Sequence, residues 1–274
     1  MNEQQTLGDV VAFEGVGLHT GQFARVLVAP APPQSGIRFV LGEGVIVPAL
    51  GEYVVDTSRA TVLGRDGASV STVEHLLSAL VGVGIDNAEI TVTGPEVPVL
   101  DGSSLPFVQE FQRVGLVGSG VARYEIELPE LHFTDGEKHI SCFPAQAYEY
   151  EVTIDFRPPI GQQRVAAVLT AEHYCAEIAP ARTFGYLDEL EALRSRGLAL
   201  GGSLDNAVVF GPDGPLAPLR VANEPVRHKA LDLLGDFALV GAGLRGRIVA
   251  HKSGHALHAR AVAALRELAL QGMA

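Results

Sequence analysis

Two stretches of this chain switch from strand-like alternation to helical spacing and end in nearly the same six residues. From Ser71 onward, Val73, Leu76, Leu77, Leu80 and Val81 recur at the spacing of one helix face. Ser71 and Thr72, with Glu74 just downstream, supply a plausible N-terminal cap. Residues 82–84 end that helix, and residues 87–93 alternate as a strand. The hexad Ala79-Leu80-Val81-Gly82-Val83-Gly84 is echoed by Ala238-Leu239-Val240-Gly241-Ala242-Gly243, which again follows a helix, expected over 226–234, and precedes a strand. Small and apolar residues recur easily, so the echo is a hint of duplicated architecture and no more.

Strands are expected at 25–29, 37–41, 124–128, 139–143 and 150–156, and further helices at 106–115, 187–196 and 259–269. Asn223-Glu224-Pro225 opens the 226–234 helix, because proline costs little where no intrahelical donor is needed. Strands before and after helices in both halves indicate an α+β fold and not a strict βαβ array. The stretch 115–120, with three glycines, is the candidate linker between two domains. A chain of 274 residues accommodates two of ordinary size.

A net charge of −12 without any Lys/Arg-rich run excludes a sequence-independent grip on nucleic acid. Two cysteines, Cys142 and Cys175, make no disulfide framework and fit a reducing compartment. Residues 1–6 lack the pattern of a signal peptide, and no uncharged apolar stretch is long enough to cross a bilayer. A cytoplasmic protein is expected.

His228 and Asp232 stand four apart on a helix, about 40° around its axis and roughly 6 Å along it. That spacing lets one helix offer two ligands to one metal. Nine His and 32 acidic residues make about one such pair by chance, so a plain helix-surface ion pair stays open. His173 and Glu177 form another, read as a solvated surface pair. Glu74 and His75 lie early on the other amphipathic helix. Catalytic zinc takes three protein ligands and leaves a position for water. His75, His228 and Asp232 would complete that set, with Glu74 to take the water's proton. His255, in Lys252-Ser253-Gly254-His255, could give a proton to a leaving amine; spacing alone equally allows a strand-to-helix turn with an incidental histidine. A nucleotide site on Gly15-Val16-Gly17 fails for want of a strand–turn–helix context.

Gly15-Val-Gly-Leu-His-Thr-Gly21, Ser71-Thr-Val-Glu-His75, Gly84-Ile-Asp-Asn87, Asp101-Gly-Ser103 and Ala181-Arg-Thr-Phe-Gly185 occur in one order. They are followed by Gly201-Gly-Ser203, Val226-Arg-His-Lys229, Gly235-Asp236 and Lys252-Ser-Gly-His255. Together these blocks resemble the UDP-3-O-acyl-N-acetylglucosamine deacetylase family from about residue 6 to residue 265. The resemblance implies two similar α+β domains, 1–118 and 122–274, each a small mostly antiparallel sheet with helices, packed as a β-α-α-β sandwich.

It also implies one catalytic zinc ion (ferrous iron being the alternative occupant) on His75, His228 and Asp232, with Glu74 as base and His255 as acid; separately, a monomer is expected. Asp236 would orient His255, and Thr183 would help stabilise the oxyanion. Lys229 and Lys252 would meet oxygens of the UDP-linked acylated glucosamine. The segment 184–209 matches the family's insert, an apolar passage for the acyl chain, for which Phe184, Leu187, Leu190, Leu204 and Ala207 suit the lining. Around Ser58-Arg59-Ala60-Thr61 some relatives carry a cysteine, which this chain lacks. A zinc deacetylase acting on another amide, or a non-catalytic relative, are the competing readings.

Overall fold

The computed structural model describes residues 3–273. Its N-terminal half contains β1 (Glu3–Leu7), β2 (Val11–Val16), β3 (Phe23–Pro30), β4 (Ile37–Leu41) and β5 (Val45–Pro48). There follow β6 (Val54–Asp56), β7 (Val62–Arg65), β8 (Ala68–Val70), α1 (Glu74–Val83), β9 (Ala88–Thr93) and α2 (Leu105–Val114). Strand β10 (Leu116–Ala122) leads into β11 (Glu125–Glu127), β12 (Leu131–Asp135), β13 (Lys138–Phe143), β14 (Tyr148–Asp155) and β15 (Gln162–Val168). Then come α3 (Ala171–His173), β16 (Phe184–Tyr186), α4 (Leu190–Ser195), β17 (Val208–Gly211), β18 (Gly214–Pro215), α5 (Glu224–Phe237), β19 (Gly243–His251) and α6 (His255–Met273).

Two sheets share one topology. The first runs β2-β3-β9-β4-β5 and the second β12-β13-β19-β14-β15. In each, the central strand pairs antiparallel on one side (β9 with β3, β19 with β13) and parallel on the other (β9 with β4, β19 with β14). Each central strand follows the helix that ends in the echoed hexad, with a left-handed glycine at the stop: Gly84 at φ 88° and Gly241 at φ 71°. A side chain with a Cβ is disfavoured there, so glycine is the natural terminator. The hint of duplication in the hexad thus corresponds to a repeated architecture.

Strand alternation puts Val26, Val28, Ile90 and Val92 of the first sheet, and Ile140, Cys142, Val152 and Ile248 of the second, into the interior. Helices α1 and α5 lie between the sheets and pack along each other, with α2 and α6 flanking them. The result is a mixed α+β fold of small sheets and helices, arranged as a β-α-α-β sandwich. Gly235 on α5 makes the helix crossing close, since a Cβ there would stand 2.0 Å from the carbonyl oxygen of Glu74 on α1.

Two local expectations need correction. The glycine-bearing stretch 115–120 is mostly strand: β10 pairs antiparallel with β1. The cap expected from Ser71 and Thr72 is absent, and Val73 precedes α1 without a side-chain cap bond. Thr72 sits at φ 57°, and its hydroxyl donates to Glu96 instead. Among the described residues no helix is long and apolar enough to cross a membrane.

Candidate metal and proton-transfer site

Both central helices carry polar groups where apolar ones are expected. Glu74 and His75 open α1, while His228, Asp232 and Asp236 recur every four residues on α5, and all five are buried. Helical spacing places the three α5 residues on one face, directed at the start of α1. One ligand atom each from His75, His228 and Asp232 falls within 4.8 Å of the others. Asp232 Oδ1 is 3.6 Å from His75 Nε2 and 3.4 Å from His228 Nε2, and the two imidazoles meet edge-on with centroids 4.9 Å apart.

The hydrogen bonds around this trio orient its donors. His228 Nδ1 lies 3.0 Å from the carbonyl oxygen of Ala181, which can only accept, so Nδ1 carries the hydrogen and the Nε2 lone pair faces the trio. Burial pushes the pKa of His228 down to about 4, so the imidazole stays neutral. Burial opposes the charge on Asp232, but the ammonium of Lys229 holds its carboxyl well below the usual range. Lys229 Nζ donates to Asp232 Oδ2 at 2.7 Å, leaving Oδ1 toward the imidazoles. Two imidazole nitrogens and one carboxylate oxygen form a donor set that suits zinc and leaves a coordination position open. The residues present fit a divalent cation.

Beside the trio lies a second cluster of titratable groups. His255 Nε2 is 3.8 Å from Glu74 Oε1, and His255 Nδ1 is 2.7 Å from Asp236 Oδ2. Burial raises the pKa of Glu74, while the backbone N–H of Thr61 donates to its Oε2 at 3.1 Å. Burial pulls His255 down, but the charge of Asp236, its hydrogen bond and Glu74 overcome this and lift it to about 9. His255 is therefore an imidazolium at neutral pH. Asp236, His255 and His258 also lie close enough to resemble a metal trio. Their hydrogen bonds already engage one another, with His258 Nδ1 at 2.6 Å from the same Asp236 oxygen and Nε2 at 2.9 Å from the Ser253 hydroxyl.

The remaining expected residues surround this centre. Thr183 stands between Arg182, which is ion-paired to Glu224 at the start of α5, and Phe184, whose ring is 6.2 Å from that of His228. Both lysines are engaged: Lys229 with Asp232, and Lys252 with Asp155 at 2.8 Å and Glu137 at 3.1 Å. In the insert, Leu187 and Leu204 are about half exposed, Leu190 and Ala207 are partly buried, and Phe184 packs edge-on against Phe156. Core packing accounts for neither Leu187 nor Leu204. His173 and Glu177 do not form the surface pair expected of them: His173 meets the Tyr150 hydroxyl at 2.7 Å and Glu177 pairs with Arg227.

Three side chains near the centre had no role in the sequence reading. Thr61 donates its hydroxyl to Asp236 Oδ1 from a loop that no periodicity marks. His258 was legible in principle, because it follows His255 by three on one helix. His19 lies on the Gly15–Gly21 block, with its backbone N–H held by Glu96 and its Nδ1 buried and unpartnered among the described residues.

A family model described as UDP-3-O-acyl N-acetylglycosamine deacetylase matches residues 4–267. Curated proteins named UDP-3-O-acyl-N-acetylglucosamine deacetylase are similar over most of both chains. The one from Syntrophotalea carbinolica is 47% identical over 259 residues, covering 92% of this chain and 84% of its own length. That from Myxococcus xanthus is 44% identical, with 94% and 85% covered, and that from Trichormus variabilis 45%, with 93% and 95%.

Proposed function

The chain belongs to the UDP-3-O-acyl-N-acetylglucosamine deacetylase family, and from that premise we propose how its own residues perform the reaction. It is a hydrolase that deacetylates UDP-3-O-acyl-N-acetylglucosamine in lipid A biosynthesis. The family is one of metalloenzymes. In our reading His75, His228 and Asp232 hold zinc, with residues 1–118 supplying Glu74 and His75 and residues 122–274 the rest. One chain carries the whole set, in keeping with a cytoplasmic monomer. The observation that carries the reading is the trio of imidazole and carboxylate donors within 4.8 Å, beside a buried carboxylate and an imidazolium.

A divalent cation on that trio supplies Lewis acidity toward a water and the acetamide carbonyl. Glu74 removes the proton of the attacking water as its oxygen bonds to the carbonyl carbon. Its elevated pKa makes it a stronger base than a solvated carboxylate. The Thr183 hydroxyl donates to the oxyanion that develops on the carbonyl. His255 then delivers its proton to the nitrogen as the carbon–nitrogen bond breaks, giving acetate and a free amine. Asp236 accepts from Nδ1–H of the imidazolium and so orients its Nε2–H toward the site. Lys229 and Lys252 exchange carboxylate partners for substrate oxygens, and the exposed leucines of the insert receive the acyl chain.

The test pairs metal analysis with a deacetylation assay on UDP-3-O-acyl-GlcNAc of several acyl lengths. About one zinc per chain with acetate release is expected. Purified protein that binds zinc yet leaves every acyl variant intact would exclude the substrate assignment.

A further inference from the structure

The mechanism uses one histidine of α6, yet two are aimed at the same carboxylate oxygen. His255 and His258 are three residues apart, so they share a helix face, and their rings meet edge-on with centroids 6.0 Å apart. Asp236 Oδ2 takes His255 Nδ1 at 2.7 Å and His258 Nδ1 at 2.6 Å, while Oδ1 takes the Thr61 hydroxyl. An ionised carboxylate only accepts, so both Nδ1 atoms carry hydrogen. His258 Nε2 lies 2.9 Å from the Ser253 hydroxyl, so both ring nitrogens are engaged. His258 is 1% exposed, and burial pushes its pKa down against the pull of Asp236. The charged groups facing this cluster are Asp236 and Lys229 from α5, Glu74 from α1 and His255 from α6.

We propose that His258 is a positioning residue: with Thr61 it clamps the Asp236 carboxylate so that Oδ2 meets His255 Nδ1 and aims Nε2 of His255 at the reacting nitrogen. The proposal rests on the reading of His255 as the acid. A carboxylate held by one imidazole alone rotates about its terminal torsion, and the imidazole it orients turns with it. His258 stops that rotation, because it is fixed at both ring nitrogens, one by Asp236 and one by Ser253. Both of its ring nitrogens are engaged, by Asp236 and Ser253, so it acts through His255.

The experiment compares His258→Ala, His258→Asn, His255→Ala and the His255→Ala/His258→Ala double variant. His258→Ala should lower kcat about tenfold or more, since small misplacements of a proton donor are costly, with KM within about twofold and metal content unchanged. His258→Asn places an amide N–H near the position of Nδ1–H and should recover most of the loss. In the His255→Ala background the His258 substitution should cost nothing further, because the group it positions is gone. Wild-type kcat in His258→Ala, or an equal loss in both backgrounds, overturns the proposal. Should His258→Ala fail to fold, Ser253→Ala loosens the ring at Nε2; it should cost kcat severalfold in the wild type and nothing beside His255→Ala, and an unchanged kcat overturns the role. Near-normal turnover of His255→Ala would instead bring down the acid assignment itself.

Discussion

The carbonyl oxygen of Glu74 lies where a Cβ on Gly235 would intrude to 2.0 Å, so the central helices meet backbone to backbone at the proposed base. Gly235→Ala must therefore push α1 and α5 apart. Overpacking of this kind costs about 1–3 kcal/mol, read as a lower denaturation midpoint. Activity should fall further than the folded fraction does, because Glu74, His255 and the trio separate together. A variant as stable and active as the wild type would contradict the contact.

Glu74→Ala should reduce kcat by about 10²- to 10⁴-fold, the range of general-base contributions, while metal analysis and circular dichroism stay unchanged. Loss of bound metal in that variant would point to Glu74 as a ligand instead of a base.

His228→Ala removes one of three donors and should abolish stoichiometric zinc binding in equilibrium dialysis. A chelator should silence the wild-type enzyme, and added zinc should restore it. Zinc retained at wild-type affinity by His228→Ala would place the cation elsewhere.

The pH profile follows from opposite shifts. Glu74 must be ionised, and burial raises its pKa, so the acid limb lies above that of a solvated glutamate. His255 must be protonated, and Asp236 helps hold its pKa up at about 9, so activity declines as pH rises toward that value. Asp236→Asn removes the stabilising charge, which moves the basic limb to lower pH. A basic limb that stays in place in Asp236→Asn would separate it from His255.

Arg182 and Glu224 form a buried pair, 8% and 0% exposed at their side chains, which ties the segment carrying Ala181 and Thr183 to the start of α5. Glu224→Ala strands the guanidinium and should cost about 3–5 kcal/mol of stability by urea titration. It should also loosen the Ala181 carbonyl beneath His228. An undiminished midpoint would show that solvent reaches Arg182.

Much of this was legible in the residues because helical spacing is local. The five polar positions of α1 and α5 stand at intervals that the sequence displays, and the family blocks cover all of them but Asp232. What was hidden arises from distance along the chain. Thr61 reaches Asp236 across 175 positions, and no periodicity announces it. The three glycines of 115–120 suggest a linker, whereas the backbone of β10 is ordered by pairing with β1 even though most of its side chains are exposed. The Thr72 cap failed because Glu96, distant in sequence, takes that hydroxyl. The doubled sheet was visible as six residues, since strand order leaves little trace in composition.

The repeated architecture has a further consequence. Its two copies are alike as scaffolds, but in the proposed reaction they are unlike as donors of reacting groups: the first would give Glu74 and His75, the second His228, Asp232 and His255. Severing the polypeptide between them would leave each fragment chemically incomplete. Acetate release from a mixture of the fragments would then report their reunion.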